Sequence, residues 1–263
     1  MFTTFVINLD KDKDRMDHMR HELTKLSIDY RRQAGVSGRE YTPSKDEYDE
    51  EQAIKKGGHA LIPGEVGCAL SHARVIETIV KERISYALVL EDDIAFPSNF
   101  KTIIEKEIGK NKNQDWEYLL FDYVVVGIPF IKQWVKGVFE NVKKLWQDKP
   151  IKSIAFSLYA IFKAFYIIPL SLFEGMRNKY KKLSPGPVRF FRPVYFAGAY
   201  LVSLGGAEKL YSLTRPIIYT ADHLPNRARI LKGLKFRGYA PQSVRQLKQE
   251  FGSSILDLEG GKL

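Results

Sequence analysis

The stretch that most constrains this chain is Tyr86-Ala87-Leu88-Val89-Leu90-Glu91-Asp92-Asp93, a compact apolar run that passes without a break into three consecutive acids. A short continuous apolar run of this kind reads as a strand buried on both faces. Three acids at the end of such a strand are costly unless a cation or hydrogen-bond donors compensate them. In open α/β sheets the carboxyl ends of the strands are where ligands bind. Carboxylates placed there suit Mn²⁺ or Mg²⁺, hard ions that bridge protein carboxylates to a substrate diphosphate. An acidic turn exposed to water is the other reading of the same residues.

The rest of the chain supplies the elements around such a strand. Phe5-Val6-Ile7-Asn8-Leu9 reads as a first buried strand. Met16, Met19, Leu23 and Leu26 then recur at the spacing of a helix packed on a sheet. Arg31 to Gly35 predicts a second strand running into a turn, and the acid-rich stretch from Tyr41 to Gly58 a surface loop or short helix. After Pro63-Gly64, the apolar residues between Glu65 and Val80 predict a helix, with Lys81 and Arg83 at the end its dipole favours. Strands are expected at Leu119 to Val126 and Val194 to Ser203, and a helix from Gly205 to Leu213. Alternating strands and helices indicate an α/β domain on a mostly parallel sheet.

Composition places the chain among globular proteins: 44% hydrophobic and 27% charged residues argue against wholesale disorder. A single cysteine, Cys68, excludes an internal disulfide framework and a multi-cysteine zinc site. The net charge of +10 is localised. Between Gly127 and Arg192 there are 13 Lys/Arg against three Asp/Glu, whereas the remaining residues carry 28 of each sign. The same segment holds 13 of the 33 aromatics, and Ile151 to Phe173 is interrupted as a bilayer span by Lys152, Lys163 and Pro169. It reads as helices lying in a membrane interface, with Lys/Arg toward anionic lipid, or as a helical subdomain covering the sheet. A nucleic-acid-binding reading explains the basic segment but leaves the three acids unexplained. The first residues lack the basic start and long apolar run of a signal peptide. The expectation from these residues is a protein that begins inside the compartment where it was made.

Four blocks occur in order: Val6-Ile7-Asn8-Leu9 with Arg15; Gly64-Glu65-Val66-Gly67-Cys68-Ala69-Leu70-Ser71-His72; Leu88 to Asp93; and Gly198 to Ser203 with Gly206 to Leu210, Pro216-Ile217 and Asp222. Together they resemble glycosyltransferase family 25, the lipopolysaccharide (lipooligosaccharide) galactosyltransferase family that also includes collagen galactosyltransferases. The resemblance covers roughly residues 1–126 and 194–245. It implies a GT-A-like nucleotide-sugar fold over 1–126 and 194–263, with 127–193 as a helical basic and aromatic insertion. It further implies a UDP-sugar donor, UDP-galactose first, a divalent metal, and inversion at the anomeric carbon. The acceptor would be a lipid-linked oligosaccharide, with 127–192 meeting an anionic membrane surface and no nucleic acid involved, and the protein would sit peripherally at the cytoplasmic face of a bacterial inner membrane. A catalytically inactive membrane-associated adaptor with the same fold is the alternative.

Residue by residue, the resemblance makes Glu91-Asp92-Asp93 the acidic metal and donor corner. Asp93 is the expected metal ligand and Glu91 reaches the ribose or the metal, with Asp92 facing the donor. Asn8, Leu9, Arg15, Ala34 and the small-residue turn that follows it are expected around the nucleotide, and Ser71 and His72 in the site wall. An inverting displacement needs a general base beside the acceptor hydroxyl, and Asp222 is the first candidate, although an N-cap before Leu224-Pro225 is an equal reading. His223 is a further candidate metal ligand. Cys68 reads as a small buried apolar residue.

Overall fold

The computed structural model describes residues 1–123, 184–190 and 193–247. The chain divides into two compact units, Met1–Tyr123 with Gly186–Leu263, and Val124–Pro185. The expectations for the basic aromatic segment lie almost entirely outside the described residues.

The first unit is an α/β domain around a mixed sheet. Strands β1 (Thr3–Asn8), β2 (Arg31–Ala34), β3 (Tyr86–Glu91), β5 (Tyr118–Leu120), β6 (Gly186–Arg189), β7 (Ala199–Ser203) and β8 (Phe236–Ala240) are ordered β2-β1-β3-β7-β5-β8-β6. Among these described strands, β7 and β6 run against the other five, so the sheet is mostly parallel. Gly186–Arg189 falls within the span 127–193 read as insertion, yet it pairs with β8 as an edge strand of the sheet. A separate pair, β4 (Ile94–Ala95) with β9 (Arg245–Gln246), ties the chain just beyond Asp93 to the end of the described fold.

Burial explains the central strands. Ala87, Leu88, Val89 and Leu90 are all fully buried, and β1 is buried from Thr4 to Asn8. Neither strand can face water on either side, which suits the interior of a parallel sheet. On one face Val6, Leu88, Leu90 and Leu201 pack against Met16, Met19 and Leu23 of helix α1 (Lys13–Lys25) and Phe100 and Ile104 of helix α4 (Phe100–Lys110). Helix α3 (Pro63–Lys81) packs across β1 and β2 and beside α5 (Leu204–Tyr211). Pro63 opens α3 at a position whose N–H would have no helical partner anyway, and Glu65 accepts the Ile62 N–H at 3.0 Å.

Several boundaries differ from the sequence reading. The acid-rich stretch takes the short-helix form of its reading: α2 (Glu50–Gln52), started by Asp49, whose carboxylate accepts the Gln52 N–H at 3.0 Å, runs into a π-helical stretch at Ala53–Gly57. Strand β7 begins at Ala199 rather than Val194, because the preceding residues bond to a side chain instead of a strand. Asn226, on helix α6 (Leu224–Leu231), accepts the Val194 N–H at 3.2 Å and donates to its carbonyl at 2.7 Å. Phe196 then takes the left-handed conformation, φ 87°, which no strand residue adopts. Among the described residues, no helix is long and apolar enough to cross a membrane.

Candidate functional site

A cavity of about 320 Å³ opens at the carboxyl ends of β1 and β3. Its wall includes Asn8, Leu9, Arg15, the 35–39 turn, Cys68, Ser71, His72, Glu91, Asp92, Asp93, Phe196, Asp222 and Gln246. Side-chain alternation along β3 and the residue after it divides the acids. Glu91 points to the α3 side of the sheet and Asp92 to the α1 side.

Asp92 is held by protein donors. Asn8 Nδ2 donates to it at 2.7 Å and Arg15 at 3.2 Å, and the Arg15 and Asp92 side chains are only 10% and 9% exposed. Burial raises the Asp92 carboxyl above the usual carboxylate range, opposed by the bonds from Asn8 and Arg15. Arg15 also lies 3.9 Å from Asp93. It is thus a buried counter-charge to the acidic corner and not a solvated charge on α1. Asn8 serves three elements, since it also donates to the Asp12 carbonyl at 2.8 Å and accepts from Arg32 at 2.9 Å. The acidic corner is thereby tied to β1, α1 and β2 at once.

Glu91 faces α3. His72 Nε2 lies 3.2 Å from its Oε1, Cys68 Sγ 4.0 Å from the same oxygen, and Gln246 Nε2 3.5 Å from Oε2. His72 Nδ1 lies 3.0 Å from the Tyr200 hydroxyl. Burial of the Cys68 sulfur away from water, and then the Glu91 charge, push its thiol well above the ordinary value. Cys68 is partly exposed at the cavity wall, which corrects its reading as a small buried apolar residue. Ser71 lines the cavity, but its hydroxyl donates to the Gly67 carbonyl at 2.7 Å and accepts the Val36 N–H at 2.8 Å, clamping the 35–39 turn to α3.

Asp222 belongs to the same wall. Its carboxylate accepts from Thr220 Oγ1 at 2.6 Å and lies 3.5 Å from the Phe196 N–H. It does not cap a helix: His223 holds the N-cap position of α6, without a side-chain cap bond. His223 packs near Tyr195 and Tyr219 and stands outside the cavity lining, as does Ala34. Among the described residues, Glu91, Asp93 and His223 do not form a group whose ligand atoms all lie within 4.8 Å of one another. Among the described residues, the group of three or more ligand-type side chains that does converge is Cys68, His72 and Glu91.

Two features of the site escape sequence reasoning. Gln246 reaches Glu91 from 155 residues away. Asp122 is buried behind the corner, accepting the Ala199 N–H at 2.9 Å and the Gly198 N–H at 3.2 Å. Burial, and then the Glu91 charge, hold its carboxyl well above the usual range. An acid directly after the Leu119-Leu120-Phe121 run was the available signal.

A mostly parallel α/β sheet with acids, an arginine and a small-residue turn gathered at its carboxyl edge defines a GT-A-like, nucleotide-sugar-binding type of domain. The model for glycosyltransferase family 25 (LPS biosynthesis protein) matches residues 1–225, and the chain belongs to that family. It is 25% identical over 208 residues to procollagen galactosyltransferase 1-A of Xenopus laevis, covering 73% of this chain and 30% of that protein. It is 30% identical over 123 residues to human procollagen galactosyltransferase 2, covering 44% and 20%. It is also 31% identical over 136 residues to the human inactive glycosyltransferase 25 family member 3, covering 47% and 21%. The matched region therefore spans less than a third of each of these relatives.

Proposed function

We propose that this chain is an inverting, metal-dependent glycosyltransferase that moves a hexose, galactose from UDP-galactose first, onto a lipid-linked oligosaccharide. The observation that carries the reading is the shared wall: Glu91, Asp93 and Asp222 line one cavity at the carboxyl edge of the sheet. Family membership and the galactosyltransferase names among the relatives support the donor.

The donor set fits a hard cation. Glu91 and Asp93 line the cavity and carry carboxylate oxygens, the ligands that Mn²⁺ and Mg²⁺ prefer, while Asp92 is held by Asn8 and by Arg15, which also lies 3.9 Å from Asp93. When bound, such an ion neutralises charge developing on the diphosphate leaving group. Asp222 takes the proton of the acceptor hydroxyl, held in orientation by Thr220 and the Phe196 N–H. The acceptor oxygen then bonds to the anomeric carbon as the bond to UDP breaks. The electron pair leaves with the diphosphate, and the configuration inverts. The +10 segment between Gly127 and Arg192 presents the acceptor at an anionic membrane surface.

The test is UDP-sugar turnover with Mn²⁺, with EDTA as control, using acceptor lipid in anionic and in neutral vesicles. Asp222→Asn is expected to lower transfer by at least about 100-fold, the usual scale of general-base loss, with UDP affinity kept. Transfer should be faster on anionic vesicles. Full turnover by the Asn variant removes Asp222 from the mechanism. UDP binding without turnover, across a screen of UDP-sugars, replaces the enzyme by an inactive family member.

A further inference from the structure

Cys68 and His72 are one helical turn apart on α3, so their side chains project from one face. Glu91, at the end of β3, closes the third corner from the sheet. Sγ, an imidazole nitrogen and a carboxylate oxygen all lie within 4.8 Å of one another. We infer that Cys68, His72 and Glu91 form a sulfur–nitrogen–oxygen site for a thiophilic divalent cation of the Zn²⁺ class, distinct in chemistry from the all-oxygen pair of Glu91 and Asp93.

The spacing lies near what a tetrahedral ion requires, close on the nitrogen–oxygen edge and about 0.4 Å long on the sulfur–oxygen edge. Ordinary zinc–ligand lengths give edges of about 3.3 Å between nitrogen and oxygen and about 3.6 Å between sulfur and oxygen. The corresponding separations here are 3.2 Å for His72 Nε2 to Glu91 Oε1 and 4.0 Å for Cys68 Sγ to Glu91 Oε1. An outer layer orients two of the three ligands, His72 and Glu91, as is usual at metal sites. Tyr200 O–H meets His72 Nδ1 at 3.0 Å, and Tyr200 is itself fixed by stacking on Tyr118 at 4.6 Å between ring centroids. With a cation on Nε2, the imidazole carries its proton on Nδ1 and donates it to the Tyr200 oxygen. Gln246 approaches the other oxygen of Glu91 at 3.5 Å.

The three side chains line the cavity, so the fourth position faces its space and is left for water or a ligand anion. Three protein ligands with one open position is the pattern of reactive rather than purely structural zinc sites. Binding releases the Cys68 thiol proton to solvent as the sulfur–metal bond forms. The ion also engages Glu91. On the function proposed above, Zn²⁺ here therefore competes with the hard cation for a shared carboxylate.

The test does not depend on catalysis. Full-length protein stripped with EDTA and freed of it is titrated with Co²⁺, then with Zn²⁺ in competition. The expected result is one Co²⁺ per chain with a thiolate-to-cobalt charge-transfer band. Cys68 is the chain's one cysteine, so that band reports this sulfur alone. Cys68→Ser should abolish the band, and Tyr200→Phe should keep it while weakening affinity about 10- to 100-fold, with circular dichroism unchanged in both. Folded wild-type protein that binds Co²⁺ without the band, or not at all, overturns the site. So does a His72→Gln variant with unchanged Co²⁺ affinity. Loss of UDP-sugar turnover leaves these readouts untouched.

Discussion

The acidic corner is held by the Arg15–Asp92 pair, and replacing Arg15 by Met tests that directly. Met keeps much of the apolar stem and removes the charge. Both partners are about nine-tenths buried, at 10% and 9% exposure, with 3.2 Å between nitrogen and oxygen. Removing one member of a buried pair costs about 3–5 kcal/mol, because the other charge stays buried without its counter-charge. Asp92 keeps its 2.7 Å bond from Asn8, which puts the expected loss at the lower end, about 3 kcal/mol. For a chain of this size that is a fall in melting temperature of roughly 6–12 °C.

The loss also has a pH signature. The folded Asp92 carboxyl already lies above its usual range, chiefly through burial, and loses a stabilising cation in the variant. A carboxyl whose folded pKa exceeds its unfolded value, about 3.9, subtracts stability as pH rises from the unfolded to the folded pKa. The gap between wild type and variant is therefore smallest near the unfolded value and widens until the variant's own Asp92 pKa is passed. Urea unfolding followed by circular dichroism across that range measures it, with Arg15→Met/Asp92→Asn recovering most of the loss. A gap below about 1 kcal/mol, the scale of an exposed pair, refutes the reasoning. So does a gap independent of pH.

Two further variants probe the scaffold around the cavity. Gly67→Ala places a Cβ 2.4 Å from the Val36 carbonyl oxygen and 2.6 Å from the Gly38 nitrogen, an overpacking expected to cost about 1–3 kcal/mol. An unchanged melting temperature contradicts the close approach of α3 to the 35–39 turn. Asp122, whose carboxyl burial and then the Glu91 charge push well above the usual range, withdraws stability as pH rises through the interval between its unfolded and folded pKa. Asp122→Asn should therefore gain on wild type in urea melts as pH rises above the unfolded carboxyl range, and parallel profiles would refute the upward shift.

The elements whose burial repeats along the chain were legible in advance. The apolar runs of β1 and β3 and the Met16-Met19-Leu23 stripe of α1 declare themselves because backbone periodicity and burial coincide. The acids ending β3 marked the site for the same reason, and the ordered blocks around Asn8, Cys68 and Asp93 pointed to the family that the comparison returned. Where a side chain replaced a backbone partner, periodicity misled. Asn226 satisfies Val194 as a neighbouring strand would, and β7 starts late.

Sequence alone determined the sheet's central strands, the location of the acidic corner and the charge asymmetry, all properties of residues close together in the chain. Only the tertiary structure decided which partners those acids meet. Glu91 finds Cys68 and His72 while Asp92 finds Arg15, because successive residues leave a strand on opposite faces and each face is covered by a different helix. Asp222 and Gln246 join the same wall from the far end of the chain through β7, α6 and the β4–β9 pair. Such placements rest on packing across long sequence separations, where no local pattern records which surfaces will meet.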